Sequence, residues 1–446
     1  MELKRKCFTL FGYMFCLAFS CSSGDENVSD SNLSPTVNFV KTFGGSKNES
    51  AQAITKTFDG GYAVLGYTQS MDGDIKNKNN ESFDYWLLKF DANHTLQWQK
   101  TYGGSDEDQG NSIIQTLDGG YAIFGSSKSD DMDVTINNGS SDFWISKLDV
   151  TGNMVWEKSF GFSGLDSGIS VIQTKDAGYL LIGVLDVTAS GGLGNSKNAQ
   201  TKHAGGDYWA IKLNASGEKQ WSRYYGGTFT ETPYRVMQTE DNGFIIVGSS
   251  DSSDVDISNN LGTYDFWVIK ISETGQLIWE KSFGGSQIDE ARGITATNDG
   301  NYIIIGDTRS SDKNVSKNNG AADVWIIKIS PTGDLIWEKT FGGSSFDAAR
   351  SVFKTQDNGF IITGNSRSLD GDLSKNNGQN DAWVFKINSN GTLIWEATIG
   401  GSDIDLALDA TVLNDETIVV VGETNSSNLD ISKNNGFTDM LIFTLK

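Results

Sequence analysis

The amino-acid sequence predicts an all-β fold: a single seven-bladed β-propeller with four-stranded blades, the last blade closed by an N-terminal strand. Three observations predict this fold. From residue 42 the chain repeats about every 58 residues, each repeat contains four strand-like segments, and one repeat is divided between the chain ends. The composition agrees, because 51 glycines, 3 prolines and many aromatic residues suit short strands joined by tight turns.

A Gly-Gly pair, or its remnant, opens each of seven repeat units. These pairs are Gly44-Gly45, Gly103-Gly104, Gly161-Phe162, Gly226-Gly227, Gly284-Gly285, Gly342-Gly343 and Gly400-Gly401. The third unit is longer, with an insertion between about Thr188 and Gly205.

The sixth unit shows the four predicted strands, at residues 351–355, 359–366, 382–388 and 392–397. The second segment is rich in β-branched residues and follows an Asp-Asn-Gly turn, a strong hairpin signal. A short Asn- and Gly-containing turn joins the third segment to the fourth. Four antiparallel strands in a unit of this length are typical of a propeller blade.

The tryptophans set the register of the repeats, since all 12 lie in the third or fourth predicted strand of units one to six. The seventh unit ends at Lys446 without a fourth strand, and residues 37–41 precede the first Gly-Gly pair with Phe39 in the tryptophan position. We expect this segment to complete the last blade, because a shared blade closes a ring and hides both sheet edges.

The N-terminal 35 residues are predicted to direct and anchor the chain. Residues 1–20 form a predicted signal peptide, in which a basic segment precedes an apolar run too short to span a bilayer. The run ends in a segment that resembles a bacterial lipobox, so we expect Cys21 to carry diacylglycerol and palmitate. Residues 21–35 are predicted to be a flexible tether, and residues 36–446 the propeller. The acidic run after Cys21 resembles the surface-export signal of Bacteroidota lipoproteins, which implies a cell-surface protein on the outer membrane.

Composition also restricts the partners. The formal charge of −22 disfavours nucleic acid and anionic lipid head groups as ligands. The three cysteines all lie within the first 21 residues, so the remainder has no disulfide framework. The sequence contains no Gly-x-Ser-x-Gly elbow, phosphate loop or His-Glu-x-x-His motif.

The repeat resembles the propeller repeat found in many Bacteroidota surface and secreted proteins. The resemblance covers residues 37–446 and is clearest at Asp370-Gly371-Asp372 with the following Asn-Asn-Gly and Asp-x-Trp. It implies the propeller fold and no single activity.

Two acidic patterns are candidate cation sites. One acid stands four residues after each Gly-Gly site, and these acids could surround one end of the channel or could cap their own turns. The second pattern is an Asp-x-Asp loop, represented by Asp72/Asp74 and by Asp370/Asp372. Calcium is the one cofactor that these loops suggest, with Asx turns as the structural alternative.

The best candidate for ligand binding is the asymmetry between blades. Blades four to six place Tyr234, Arg235, Arg292 and Arg350 near the expected channel mouth. Such arginines could hold a carboxylate or sulfate, or could pair with the neighbouring acids. His203, in the insertion of the third blade, is a further candidate ligand contact.

A compact residue near the start of each first strand is interpreted as a sign of a narrow channel. The seven are Ala51, Gly110, Gly168, Pro233, Ala291, Ala349 and Ala407.

The sequence thus favours a non-catalytic surface lipoprotein that binds a polysaccharide or an outer-membrane protein. A polysaccharide lyase or hydrolase on the same fold is the first alternative. A calcium-stabilised structural protein is the second.

Overall fold

A computed structural model describes residues 35–195 and 203–446. The predicted signal peptide, Cys21 and most of the predicted tether lie outside the described residues. Within those residues the chain forms 28 strands and one short helix, α1 (Val187–Ser190). The strands are β1 Val37–Phe43, β2 Glu49–Lys56, β3 Tyr62–Thr68, β4 Asp84–Phe90, β5 Leu96–Tyr102, β6 Asp108–Gln115, β7 Tyr121–Ser127, β8 Asp142–Leu148, β9 Met154–Phe160, β10 Ser167–Gln173, β11 Tyr179–Asp186, β12 Gly206–Leu213, β13 Lys219–Tyr225, β14 Glu231–Gln238, β15 Phe244–Ser250, β16 Asp265–Ile271, β17 Leu277–Phe283, β18 Asp289–Ala296, β19 Tyr302–Thr308, β20 Asp323–Ile329, β21 Leu335–Phe341, β22 Asp347–Lys354, β23 Phe360–Ser366, β24 Asp381–Ile387, β25 Leu393–Ile399, β26 Asp405–Val412, β27 Ile418–Thr424 and β28 Asp439–Leu445.

The strands form seven four-stranded antiparallel sheets arranged as the blades of a closed propeller. Blades one to six are β2–β5, β6–β9, β10–β13, β14–β17, β18–β21 and β22–β25, and blade seven is β26, β27, β28 and β1. The first strand of each blade is innermost and adjoins the first strand of the next blade. We call the face that carries the Gly-Gly turns the Gly-Gly face.

The ring is closed as predicted, because β1 pairs antiparallel with β28 from Val37↔Leu445 to Phe43↔Met440. Just before β1, Thr36 and Lys446 exchange backbone hydrogen bonds of 2.7 and 3.0 Å. The first described residues therefore lie at the face opposite the Gly-Gly face.

Both tryptophan positions have a clear packing role. The third-strand tryptophans, such as Trp86 and Trp325, are fully buried between sheets. Five of the six fourth-strand tryptophans lie against a turn glycine of the next blade, as Trp98 does at Gly152. At the ring junction Phe39 takes the tryptophan role, as predicted, and its ring lies 5.2 Å from His94, which replaces the turn glycine of blade one.

The inner strands begin earlier than predicted. In blade six the first strand starts at Asp347 instead of residue 351. The reason is an irregularity in the β22–β23 register between Ala349 and Ser351, which breaks the alternation of apolar and polar residues by which strands are recognised.

Closure makes a prediction about β1. Phe43 is 3% exposed and packs on Phe90 with ring centroids 5.4 Å apart, so Phe43→Ala should lower the free energy of unfolding by about 3–5 kcal/mol. Val37→Ala, in the same strand at an exposed position, should change it by less than about 0.5 kcal/mol. Denaturant unfolding of the two variants checks this, and equal stabilities would show that β1 is not part of the ring.

Candidate functional site

The seven acids that follow the Gly-Gly turns are buried structural groups. Each is fully buried and accepts a backbone N–H, in six blades from the second glycine of its own turn and in blade three from Phe162, at 2.7–2.8 Å. In blade seven, Asp405 also accepts hydrogen bonds from the hydroxyls of Thr424 and Ser426. These carboxylates therefore hold the turns and do not line the channel.

The Asp-x-Asp loops hold the same turns from the other side. Asp72 accepts the N–H of Ser46 at 2.8 Å, and Asp74 that of Gly44 at 3.1 Å. In blade six Asp370 and Asp372 make the equivalent bonds to Ser344 and Gly342, at 2.7 and 3.0 Å. Across residues 35–195 and 203–446, no three His, Cys, Asp or Glu side chains are grouped so as to hold a metal ion. A calcium ion at these loops stays a prediction.

His203 is packed against the third blade and lies outside the channel. Its Nδ1 is 2.6 Å from Oδ2 of Asp207, and its ring lies edge-on to Tyr224. In five other blades a backbone N–H bonds the acid equivalent to Asp207, as Asn319 does for Asp323 at 2.7 Å. Burial lowers the pKa of His203, but the hydrogen bond and charge of Asp207 outweigh burial and raise it. His203 therefore supplies to Asp207 the contact that a backbone N–H supplies to the equivalent acid in five other blades.

A β-bulge at the same point of every inner strand directs one side chain into the channel. In each pairing of first and second strands the register skips one residue, directly after the compact residue. The skipped residues are Gln52, Asn111, Ile169, Tyr234, Arg292, Arg350 and Leu408. Bulges of this kind re-aim side chains and are common beside binding sites.

The compact residues have a different role from the one expected. A Cβ at Gly110 would meet the backbone of Gly66, and a Cβ at Gly168 that of Gly125, in the second strand of the preceding blade. Their small size thus follows from close contact between blades, and the channel lining begins one residue later.

The seven bulge residues and Arg235 line one cavity of about 270 Å³, which we call the channel cavity. Two other cavities of similar size each lie between two blades, one beside Glu107 and Leu165 and one beside Met237 and Tyr302. The channel cavity differs from both because every blade contributes a side chain to it. Three of the six arginines after residue 35 line it, although the chain carries a net charge of −22.

Arg292 is held by protein groups. Its guanidinium carbon lies 3.9 Å from the centre of the Tyr234 ring, and its Nη2 donates to Glu290 at 3.0 Å. Ring and carboxylate together fix the plane of the guanidinium.

Arg350 is different, because its guanidinium makes no hydrogen bond or ion pair with any residue that the structure describes. Its Nε is buried without a partner, as is the Nε of Arg292. Burial and the neighbouring Arg292 lower the pKa of Arg350, but arginine remains charged at every physiological pH. The channel cavity thus contains a partly buried cation whose donors are free.

Two buried acids in second strands, Asp307 and Glu423, interact electrostatically with the cavity arginines. Burial raises the pKa of Asp307 to about 6, against the charges of Arg292 and Arg350. Burial also raises the pKa of Glu423, against a hydrogen bond from Ser50 and the charge of Arg350. The negative charge of Asp307 near Arg350 therefore decreases as the pH falls through about 6.

Arg235 bridges the channel one residue further from the Gly-Gly face. Its Nη2 lies 3.2 Å from Oδ1 of Asp409, so the ion pair joins blade four to blade seven. Asp409 is held in turn by the hydroxyl of Ser351 at 2.6 Å and the N–H of Ile54 at 3.2 Å.

The structure brings together Tyr234, Arg235, Arg292 and Arg350 from the predicted set and leaves His203 apart. Sequence reasoning missed Gln52, Ile169 and Leu408, which an alignment of the residue after each compact position would have shown. It also missed Asp307 and Glu423, because nothing in the repeat pattern marks contacts between one blade and the next. The arginines that line the channel cavity can bind an anion.

Comparison with known proteins adds little to this account. No family model matches the chain. A stretch of 221 residues, 48% of the chain, is 22% identical to the regulatory protein FlaEY of Caulobacter vibrioides and spans only 22% of that protein.

Solved structures resemble the chain weakly. A Bacteroides caccae protein of unknown function is 11% identical, with a TM-score of 0.40 over 77% of this chain and 97% of that one. Sqt1 from Chaetomium thermophilum is 9% identical, with a TM-score of 0.44 over 86% and 83% of the two chains. Likenesses at this level carry no functional information.

Proposed function

We propose that this protein is a non-catalytic, lipid-anchored binding protein of the Bacteroidota surface type, and that its ligand places an anionic group on Arg350 in the channel cavity. The single observation that carries the proposal is the Arg350 guanidinium, partly buried in a cavity and without a protein partner. A charge in such a place is costly unless it is paired, and a bound anion supplies the pair.

The choice of residue supports an anion with two oxygens. The propeller uses lysine for its repeated structural ion pairs, such as Lys89–Asp59 and Lys328–Asp299. Arginine is concentrated at the cavity, and its planar guanidinium matches carboxylate or sulfate oxygens in pairs.

The proposed anchor agrees with this location of the site. The first described residues lie at the face opposite the Gly-Gly face, so the predicted tether would join the propeller on that side. No helix among the described residues has the length and apolar character needed to cross a bilayer.

Cys21→Ala tests the anchor. In cells that process the precursor, the wild-type protein should incorporate labelled palmitate and sediment with outer membranes, because several acyl chains make membrane attachment durable. The variant should do neither. Palmitate labelling that persists in the variant would exclude Cys21 as the modified residue.

Arg350→Ala should reduce affinity for inorganic sulfate about tenfold or more, because hydrogen bonds to a charged group contribute about 1.5–3 kcal/mol. Arg367→Ala removes the same charge from an exposed site beside Phe346 and should have little effect. Calorimetric titration with sulfate compares the two variants. Equal affinities would contradict the proposed site, and turnover of an acidic polysaccharide that is lost in Arg292→Ala would identify an enzyme.

Sulfate binding should strengthen as the pH falls from 8 to 5. Burial raises the pKa of Asp307 to about 6, so below that pH its carboxyl becomes neutral and no longer competes with the anion for the arginines. Asp307→Asn should bind sulfate more tightly at pH 8 and show a smaller pH dependence. Asp323→Asn is the control, because burial also raises the pKa of Asp323 to about 6, but the charges that act on it are those of Asp347, Asp372 and Lys317 and not those of the cavity arginines. A pH dependence of the same size in Asp307→Asn as in the wild type would contradict this role.

A further inference from the structure

We infer that the channel cavity takes the end of an acidic sugar chain, about one unit deep, and does not bind the middle of a chain. The inference rests on the proposed function and adds a ligand class and a direction of entry.

The shape of the cavity restricts how a ligand enters. Seven side chains, one from each blade, surround it in the plane of the ring, so a ligand can approach only along the channel axis. On the side away from the Gly-Gly face, the Arg235–Asp409 ion pair crosses the channel. A polymer therefore cannot lie across the site, and it cannot pass through without breaking that ion pair.

The size of the cavity agrees with one unit. At about 270 Å³ it lies just below the roughly 300–1,000 Å³ that is typical of pockets for drug-sized ligands. A cavity of this volume accommodates a single sugar acid, whereas an oligosaccharide would extend out of it.

The chemistry of the cavity wall changes around the ring. Tyr234, Arg292 and Arg350 occupy three consecutive blades, and Gln52 and Asn111 occupy two consecutive blades elsewhere in the ring. The apolar Leu408 and Ile169 separate these two polar arcs. A ligand that matches them carries an anion at one end, hydroxyls at the other and C–H faces between.

The amide arc suits hydroxyl groups, which both donate and accept hydrogen bonds. Gln52 donates its Nε2 to Ser50 at 2.6 Å, and Asn111 donates its Nδ2 to the carbonyl of Gly168 at 2.7 Å. Each amide then keeps its oxygen as an acceptor and its second N–H as a donor for a ligand, on two neighbouring blades. Vicinal hydroxyls of a sugar can serve both, whereas successive N–H groups of an extended peptide point in opposite directions.

Long-range electrostatics also favour binding of the end of an acidic sugar chain over binding along its length. The chain carries a net charge of −22, so a polyanion lying along its surface would be repelled at each unit. A chain whose end enters the cavity leads away into solvent, where salt screens the repulsion within about 8 Å.

Calorimetry with galacturonic acid and its oligomers of two, four and eight units tests the inference on the full protein. We expect one protein bound per chain at every length, and an affinity that does not rise beyond two units. Gln52→Leu should weaken galacturonic acid binding about tenfold and inorganic sulfate binding much less, since the amide contacts the sugar hydroxyls and lies on the other arc from Arg350.

The outcomes separate the two proposals. Absence of sulfate binding would overturn the proposed function itself. The protein could bind sulfate while several proteins occupy one octamer, or while the affinity for the oligomers grows with their length. Either result would overturn only the inference that the chain enters by its end. Sulfate binding without galacturonic acid binding, or with tighter binding of an acetylated tripeptide through its C-terminal carboxylate, would overturn the choice of an acidic sugar.

Discussion

The pairing of β1 with β28 is the constraint on which the rest of the structure depends. Seven blades can surround a channel only if the last contacts the first, and here a strand from the start of the chain completes a sheet made by its end. The same pairing places Phe39 against His94, where five other junctions place a tryptophan against a glycine. Without it the seven bulge residues would not face a common axis.

Within the closed ring, the groups that hold the fold are separate from those that vary. The Gly-Gly turn, its buried acid and the Asp-x-Asp loop recur from blade to blade and satisfy one another's hydrogen bonds. Three residues beyond the acid, the bulge releases one side chain from the sheet pattern. That position holds Gln, Asn, Ile, Tyr, Arg, Arg and Leu in turn, because sheet packing no longer restricts it. A sevenfold scaffold can in this way carry an asymmetric site.

The sequence was sufficient to predict the architecture, because patterns that are weak in one repeat recur in seven. The Trp positions, the turn glycines and the divided repeat each recur or complement one another, and together they predict blade number, strand order and closure. The arginine cluster was also visible, since Arg292 and Arg350 occupy matching repeat positions.

What could not be predicted depends on contacts between repeats. The bulge is a register shift between two strands, and no residue type marks it. Asp307 and Glu423 lie in second strands and act on Arg350, in the inner strand between their blades, a proximity that exists only in the closed ring. The compact residues were assigned to the channel because their size was visible and their neighbour, the glycine of the preceding blade, was not.

The most direct test of the account is crystallographic, with selenate as an anomalous scatterer in place of sulfate. The account predicts a selenium peak in the channel cavity, close enough for the selenate oxygens to accept hydrogen bonds from the Arg350 guanidinium, which disappears in crystals of Arg350→Ala. Selenate bound elsewhere on the propeller with an empty cavity, or a peak that persists in Arg350→Ala, would contradict it.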